Sequence, residues 1–210
     1  MKRRMRRRSK PKKIMCFIIT ILLIIGVSLG INILNEKKKE EKYQNEWSKL
    51  LEEDRIIIEE IIALAKEKIG MEYVWGGKGE MMTDERLDEL IDYYGEGYYP
   101  LDRDEYIEKQ AFDCSGLTFY LYNEVMGELI GYSTDDQEEI LADYEISEED
   151  ILPGDLIYTP GHVVIYIGNG KIIHSYNKLR YPIGGVKEDK LKISEKSVIY
   201  RPIDYIKDLD

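Results

Sequence analysis

Three residues of the chain have the side chains that thiol catalysis needs: Cys114, His162 and His174. A cysteine attacks an amide as the thiolate, and a neighbouring histidine can take the thiol proton and later return it to the leaving amine. A third polar group that holds this histidine in place completes such a site. Because the chain contains only two histidines, both are candidates.

Two other interpretations of these residues stay open at this point. A free cysteine is most often a small buried apolar residue, and a strand histidine is often half buried without a chemical role. A cysteine and two histidines could also bind zinc, but here they come from distant segments and lack the short spacings of a zinc site. Metal binding therefore ranks below the thiol mechanism.

The stretch 111–127 predicts a helix with Cys114 in its first turn. Asp113 suits the N-cap position, and Gly127 is a natural stop after the last apolar residue. The apolar residues at helical spacing are Leu117, Tyr120, Leu121 and Val125. Because unpaired amides and the positive end of the helix dipole lie at this position, we expect them to stabilise a thiolate.

The two histidines fall in a predicted β-hairpin whose loop length decides whether they share a face. A two-residue loop would turn His162 and His174 to opposite faces, because side chains alternate along a strand. A three-residue loop with Gly170 left-handed, as a G1 bulge, would set Val164 opposite His174 and put both histidines on one face. The thiol mechanism requires this second register, in which His174 orients His162 and His162 takes the proton of Cys114.

The N-terminus combines a basic stretch with an apolar one. Residues 1–13 carry nine Lys or Arg and no acid, and Ile14–Leu34 is 21 residues without a charge. As a helix these residues span about 32 Å, close to the roughly 30 Å hydrocarbon core of a bilayer. We predict a cytoplasmic tail over 1–13, a single-pass signal anchor over 14–34 and an extracytoplasmic remainder. Signal cleavage and secretion is the alternative.

Charge and cysteine content support this topology. Without the nine basic residues of the tail, the chain has 21 Lys or Arg against 41 Asp or Glu. We assign the basic stretch to the membrane and predict no nucleic-acid partner, because the stretch directly precedes the apolar segment. The other cysteine, Cys16, lies in that segment. Cys114 therefore has no exterior partner for a disulfide, which favours a reactive thiol.

Beyond the anchor the pattern predicts an α+β domain. Residues 35–53 form a charged helical spacer that runs into the first helix of a catalytic domain over 54–210. Thr83 as N-cap and Gly95 as a stop predict a further short helix. The predicted strands are Asp155–Thr159, His162–Ile167, Lys171–Tyr176 and Ser197–Pro202. Helices followed by antiparallel strands indicate a helix packed on one sheet.

Four motifs in this order resemble the NlpC/P60 family of papain-like cell-wall peptidases, over about residues 54–205. They are Tyr73-Val74-Trp75-Gly76-Gly77, Asp113-Cys114-Ser115-Gly116-Leu117, Leu152-Pro153-Gly154-Asp155-Leu156, and His162 to Gly168 followed by Ile173-His174. The resemblance implies a papain-like fold with the nucleophile helix packed on an antiparallel sheet. The chain departs from the family in the 35 residues of 78–112, which we interpret as an insertion beside the cleft.

The resemblance also implies roles for the catalytic residues. Cys114 would be the nucleophile, His162 the general base and later the acid, and His174 the orienting residue. Tyr73 would help to stabilise the oxyanion. The implied reaction is hydrolysis of a peptidoglycan stem-peptide amide, typically between γ-D-glutamyl and the diamino acid, without a metal or organic cofactor.

Three further residues would bind the stem peptide by the same resemblance. Asp113 and Ser115 match positions that contact it, where the carboxylate can receive a free α-amine, and Trp75 would shape the cleft wall. Two other functions remain as alternatives. One is an acyltransferase or amidase on the same fold, and the other is a membrane-tethered wall-binding module without turnover.

Overall fold

The structure is a computed structural model that describes residues 11–127, 130–177 and 179–209. The predicted basic tail over 1–13 lies almost wholly outside this part of the chain. The chain divides into two compact units, the first reaching Tyr43 and the second beginning at Gln44. The predicted start of the catalytic domain at residue 54 therefore falls inside the second unit.

The first unit consists of the N-terminal part of one long helix, α1 (Pro11–Ser48). Its apolar side chains are exposed along the predicted anchor, with Phe17 at 68% and Leu23 at 64%. By length and composition this helix could cross a membrane, although a signal sequence has the same properties.

The first helix that lies wholly within the second unit is α2 (Glu52–Glu67), and it does not continue α1. We expected the spacer to run into this helix without a break, and that prediction is wrong. Leu51 has an extended backbone (φ −60°, ψ 152°) and serves as the N-cap, and the first turn holds three acidic residues. Because the positive end of a helix favours carboxylates, this acidic run starts a new helix.

Among the remaining helices, the first two begin and end close to where the sequence predicts, and the last was not predicted. These helices are α3 (Asp84–Tyr94), α4 (Cys114–Met126), α5 (Thr134–Ile140) and α6 (Pro202–Lys207). The Thr83 hydroxyl accepts from the Arg86 amide at 3.1 Å, and Gly95 ends α3, as predicted. Asp113 caps α4, and Gly127 ends it in the left-handed conformation (φ 74°), which confirms the predicted nucleophile helix.

Five antiparallel strands form the main sheet in the order β6-β5-β4-β3-β7. They are β3 (Leu156–Thr159), β4 (His162–Gly168), β5 (Lys171–Tyr176), β6 (Gly185–Lys190) and β7 (Val198–Tyr200). The sequence did not predict β6, because four of its six residues are charged. This strand lies at the edge of the sheet, where water can solvate charged side chains.

The two faces of the sheet pack differently. On one face α4 packs against β4 and β5, and its Tyr122 hydroxyl donates to the Gly154 carbonyl at 2.5 Å. The other face carries a cluster of buried apolar side chains: Ile151, Ile157, Tyr166, Ile172 and Ile199. The α+β architecture with the nucleophile helix on an antiparallel sheet is therefore confirmed.

The β4–β5 hairpin places the two histidines in the register that the thiol mechanism requires. Ile165 lies opposite Ile173, so Val164 lies opposite His174. Because side chains two positions apart share a face, His162 and His174 lie on the same face of the sheet. The predicted register is confirmed.

The turn that produces this register differs from the predicted one. Asn169 and Gly170 both have positive φ, at 54° and 66°, which is typical of a two-residue type I′ turn and not of the predicted three-residue loop. A bulge between Tyr166 and Gly168 absorbs the extra residue. The bulge, not the loop length, therefore brings both histidines to one face.

Residues 78–112 form a lobe of their own. β1 (Lys78–Met81) pairs antiparallel with β2 (Gln110–Phe112), and Lys78 lies opposite Phe112. The chain between them, including α3, contributes most of a separate apolar cluster: Val74, Met82, Leu87, Leu90, Tyr99, Tyr106 and Ala111. The lobe therefore begins and ends beside Asp113.

Helix α4 packs so closely against the glycine turn before the lobe that a methyl group added at Gly116 should destabilise the fold. A Cβ at Gly116 would lie 1.9 Å from the Gly77 carbonyl oxygen. We expect Gly116→Ala to lower the free energy of unfolding by about 1–3 kcal/mol, because the backbones must separate. Urea unfolding of the protein in detergent micelles measures this change. Gly97→Ala is the control, since no atom lies within 4 Å of its added Cβ. Equal stability of the two variants would contradict the prediction.

Candidate active site

Cys114 is the first residue of α4 and lies against the beginning of β4. It is 9% exposed. The backbone amides of Val163 and Ser115 face the thiol and act to lower its pKa. Val163 directly follows His162, so the fold brings the predicted nucleophile to the strand that carries the predicted base.

A chain of hydrogen bonds runs from His162 to a carboxylate. His162 Nε2 lies 2.8 Å from His174 Nδ1, and His174 Nε2 lies 3.2 Å from Asp189 Oδ2. An ionised carboxylate only accepts, so His174 donates to Asp189 through Nε2 and its Nδ1 accepts from His162 Nε2. This arrangement leaves Nδ1 of neutral His162 unprotonated and able to accept a proton.

Sequence reasoning missed Asp189. It lies on the edge strand β6, which the sequence did not predict, and β6 pairs with the strand that carries His174. Lys187 lies 2.9 Å from the same carboxylate. The one available signal was a charged run after Gly185 in which alternate residues would share a face.

The thiol and the histidine chain are neighbours without being bonded to each other. Across the described residues, no hydrogen bond joins Cys114 to His162, although the amide of the next residue, Val163, acts on the pKa of the thiol. In substrate-free sites such contacts are often long and tighten only in the complex. The structure therefore brings together His162, His174 and Asp189, and places Cys114 beside them.

The electrostatics favour the neutral forms of thiol and imidazole. Burial raises the pKa of Cys114, and the neighbouring Asp113 carboxylate raises it further. Burial, with a contribution from His174, lowers the pKa of His162 to about 4. Our expectation of a thiolate stabilised by the helix terminus therefore does not hold for the resting site, because desolvation outweighs the favourable helix position.

Tyr73 and Trp75 form one wall beside the nucleophile. Tyr73 is buried, and its pKa is raised by burial and by the nearby Asp113 and Cys114. The Trp75 ring lies 6.3 Å from that of Tyr73 and 4.7 Å from that of Tyr98. Tyr98, from the lobe over 78–112, therefore packs against this wall.

Asp113 and Ser115 lie next to the nucleophile but already have a cationic partner. Lys78 Nζ lies 2.9 Å and 2.8 Å from the two Asp113 carboxylate oxygens and 3.1 Å from Ser115 Oγ. This ammonium group belongs to the chain itself. It makes with both carboxylate oxygens the kind of contact that we expected from an amine of the substrate.

A cavity of about 640 Å³ opens on the face of the sheet that carries both histidines. Its lining combines apolar side chains with Lys187, Lys190 and Lys192.

A metal site is the other possibility that the sequence left open. Within 11–127, 130–177 and 179–209, no group of three or more His, Cys, Asp or Glu is arranged to hold an ion. The zinc interpretation finds no ligand cluster in this part of the chain.

The neutral thiol can be tested by the pH dependence of alkylation. With Cys16 replaced by Ser, we expect the rate of Cys114 alkylation by iodoacetamide to keep rising above pH 9.0, the ordinary cysteine pKa, because burial favours the protonated thiol. Asp113→Asn should move the midpoint to lower pH, since it removes a negative charge. A rate that is already constant below pH 7 would contradict the prediction.

Comparison with known proteins supports the resemblance. The model of the NlpC/P60 family matches residues 70–192. Protein P54 from Enterococcus faecium is 32% identical over 120 residues, and the probable endopeptidase p60 from Listeria grayi is 31% identical over 118. These matches cover 55% and 54% of this chain. The chain spans only 17% of the length of each of these relatives.

The comparison of structures agrees on the fold. The peptidoglycan hydrolase RipB from Mycobacterium tuberculosis superposes with a TM-score of 0.50 at 23% identity, covering 74% of this chain and 69% of that one. The family match covers more than half of the chain and includes Cys114, His162 and His174. This protein therefore belongs to the NlpC/P60 family.

Proposed function

We propose that this protein is a cysteine peptidase that hydrolyses peptidoglycan stem peptides, at the amide between γ-D-glutamyl and the diamino acid. The observation that carries the proposal is the hydrogen-bonded pair His162 and His174 beside Cys114 at a helix N-terminus. Family membership supports it, as do the names of relatives, which include a probable endopeptidase and a peptidoglycan hydrolase.

The first half of the reaction transfers an acyl group to sulfur. The Cys114 thiol gives its proton to Nδ1 of His162 as the sulfur attacks the carbonyl carbon. The charge on the carbonyl oxygen is stabilised by backbone amides at the start of α4 and by the Tyr73 hydroxyl. His162 then returns the proton to the leaving amine, and the carbon–nitrogen bond breaks to leave a thioester on Cys114.

The second half regenerates the enzyme. A water molecule gives a proton to His162 as its oxygen attacks the thioester carbonyl. Collapse of this intermediate breaks the carbon–sulfur bond, and the sulfur takes the proton from His162 to restore the thiol. In both halves His174 accepts from the other nitrogen of His162, and Asp189 carries the charge that stabilises the transient imidazolium.

The charge of the cavity suits an anionic peptide. Lys187, Lys190 and Lys192 line the cavity next to the histidines, in a chain whose net charge is −11. Carboxylates of a stem peptide would be attracted to this side of the cleft. Trp75 would contact the peptide from the wall that it forms with Tyr73.

We further propose that the apolar part of α1, residues 14–34, anchors the protein in the cell membrane with residues 1–13 in the cytoplasm. Residues 35–53 would then act as a spacer, and the catalytic domain over 54–210 would lie outside. The length and composition of the helix support this topology. Signal cleavage remains the alternative, and N-terminal sequencing of the mature protein distinguishes the two.

Digestion of purified peptidoglycan tests the proposed reaction. We expect the wild-type protein in detergent to release stem fragments cut after D-glutamate, with new free amino groups on the diamino acid, as measured by mass spectrometry. Cys114→Ala should release none. A D-glutamyl product joined to another nucleophile would indicate an acyltransferase, and products whose new amino group is not on the diamino acid would indicate an amidase. Identical products from both folded proteins, with wall binding retained, would indicate a binding module and overturn the proposal.

Removal of the Asp189 charge tests the histidine chain. We expect Asp189→Asn to lower kcat/KM about tenfold, which corresponds to about 1.4 kcal/mol, because His174 loses the acceptor that selects its tautomer. The acidic limb of the pH–rate profile, set by His162 near pH 4, should also shift. Glu188→Gln is the control, since Glu188 pairs with Lys171 at 2.6 Å on the exposed side of the same strand. Equal effects of the two substitutions would exclude a specific role for Asp189.

A further inference from the structure

The carboxylate of Asp113 is a buried anion next to the nucleophile, and the chain itself saturates it. Oδ1 accepts from the Gly116 amide at 2.6 Å and from the Ser115 hydroxyl at 3.1 Å. Oδ2 accepts from the Gly76 amide at 3.0 Å. Both oxygens also accept from the ammonium of Lys78, at 2.9 Å and 2.8 Å. Little acceptor capacity is left for a ligand.

The ion pair between Lys78 and Asp113 also cancels the charge at this position. The two side chains are 22% and 11% exposed, so water screens the pair only partly. Both charges act on the nucleophile, because Asp113 raises the pKa of Cys114 and Lys78 lowers it. The neutralised pair therefore lies beside the nucleophile and is not a remote surface contact.

The position of Lys78 is fixed by the inserted lobe. It begins β1 and lies opposite Phe112, the last residue before Asp113. Its own backbone amide donates to Glu80 Oε2 at 2.6 Å, and Glu80 in turn pairs with Arg86 of α3 at 3.3 Å. The backbone pairing fixes where the Lys78 side chain begins, and the contacts with Asp113 and Ser115 hold its ammonium group in the site.

We propose that Lys78 makes the cleft select stem peptides whose α-amine is blocked as an amide and reject those with a free α-ammonium. A substrate ammonium at Asp113 would meet a like charge and would have to displace Lys78 from a partly buried pair. An uncharged amide meets neither obstacle. The proposal rests on the proposed function, and it names N-acylated stem peptides, as in stems still joined to the glycan, as the substrate class.

Two synthetic peptides test this selection in the full-length protein. They are L-alanyl-γ-D-glutamyl-diaminopimelate with a free N-terminus and the same peptide N-acetylated. We expect the wild type to cleave the acetylated peptide with a kcat/KM at least tenfold higher. Lys78→Met removes the charge but keeps most of the length, and it should shift the ratio at least tenfold towards the free amine. The control Lys109→Met, on a lysine of the same lobe that pairs with Glu105 at 3.7 Å, should leave the ratio unchanged.

A second measurement needs no substitution at Lys78. In Cys114→Ala, the dissociation constants of the two peptides should converge as pH rises through about 8, where an α-amine loses its charge. This binding experiment also separates the two proposals. If the wild type cleaves neither peptide, the proposed function fails, while tighter binding of the acetylated peptide still supports the role of Lys78. Equal or tighter binding of the free amine at neutral pH, or an unchanged ratio in Lys78→Met, overturns it.

Discussion

The structure depends most on the carboxylate of Asp113, because several parts of the site meet at its two oxygens. As the N-cap it satisfies the amide of Gly116 and starts the helix that presents Cys114. Through the amide of Gly76 it ties this helix to the glycine turn, and through Lys78 it ties both to the inserted lobe. Because a buried carboxylate is costly unless it is hydrogen-bonded and paired, these contacts hold each other in place.

This arrangement has an electrostatic cost at the nucleophile. A helix N-terminus favours a thiolate, whereas a neighbouring carboxylate and burial both disfavour it, and here the pKa of Cys114 is raised. The pKa of His162 is lowered to about 4 by the same loss of solvent. The resting site therefore holds a thiol and a neutral imidazole. In the reaction proposed above, charge develops only when the proton moves, and the hydrogen-bonded chain through His174 to Asp189 is placed to stabilise it.

The sequence predicted the parts of the site that depend on local rules. Helix α4, with its cap at Asp113 and its stop at Gly127, follows from the chemistry of helix ends. The predicted register of the histidines is also correct. It follows from the requirement of the thiol mechanism that both histidines share a face, and not from the predicted turn. A bulge before Gly168 produces this register, and alternation of residue types does not reveal such a bulge. Asp189 was missed because charged residues at a sheet edge do not show the apolar pattern of a strand.

Lys78 shows why the sequence could not predict the remaining features of the site. It is separated from Asp113 by 35 positions along the chain, and only the pairing of β1 with β2 brings the two side chains together. The helix between those strands could be predicted from Thr83 and Gly95, because its ends are local features. The pairing of Lys78 with Asp113, next to Cys114, could not be predicted, because the contact exists only in the closed fold. The lobe over 78–112, which the sequence alone places beside the cleft, therefore supplies the positive charge that pairs with Asp113.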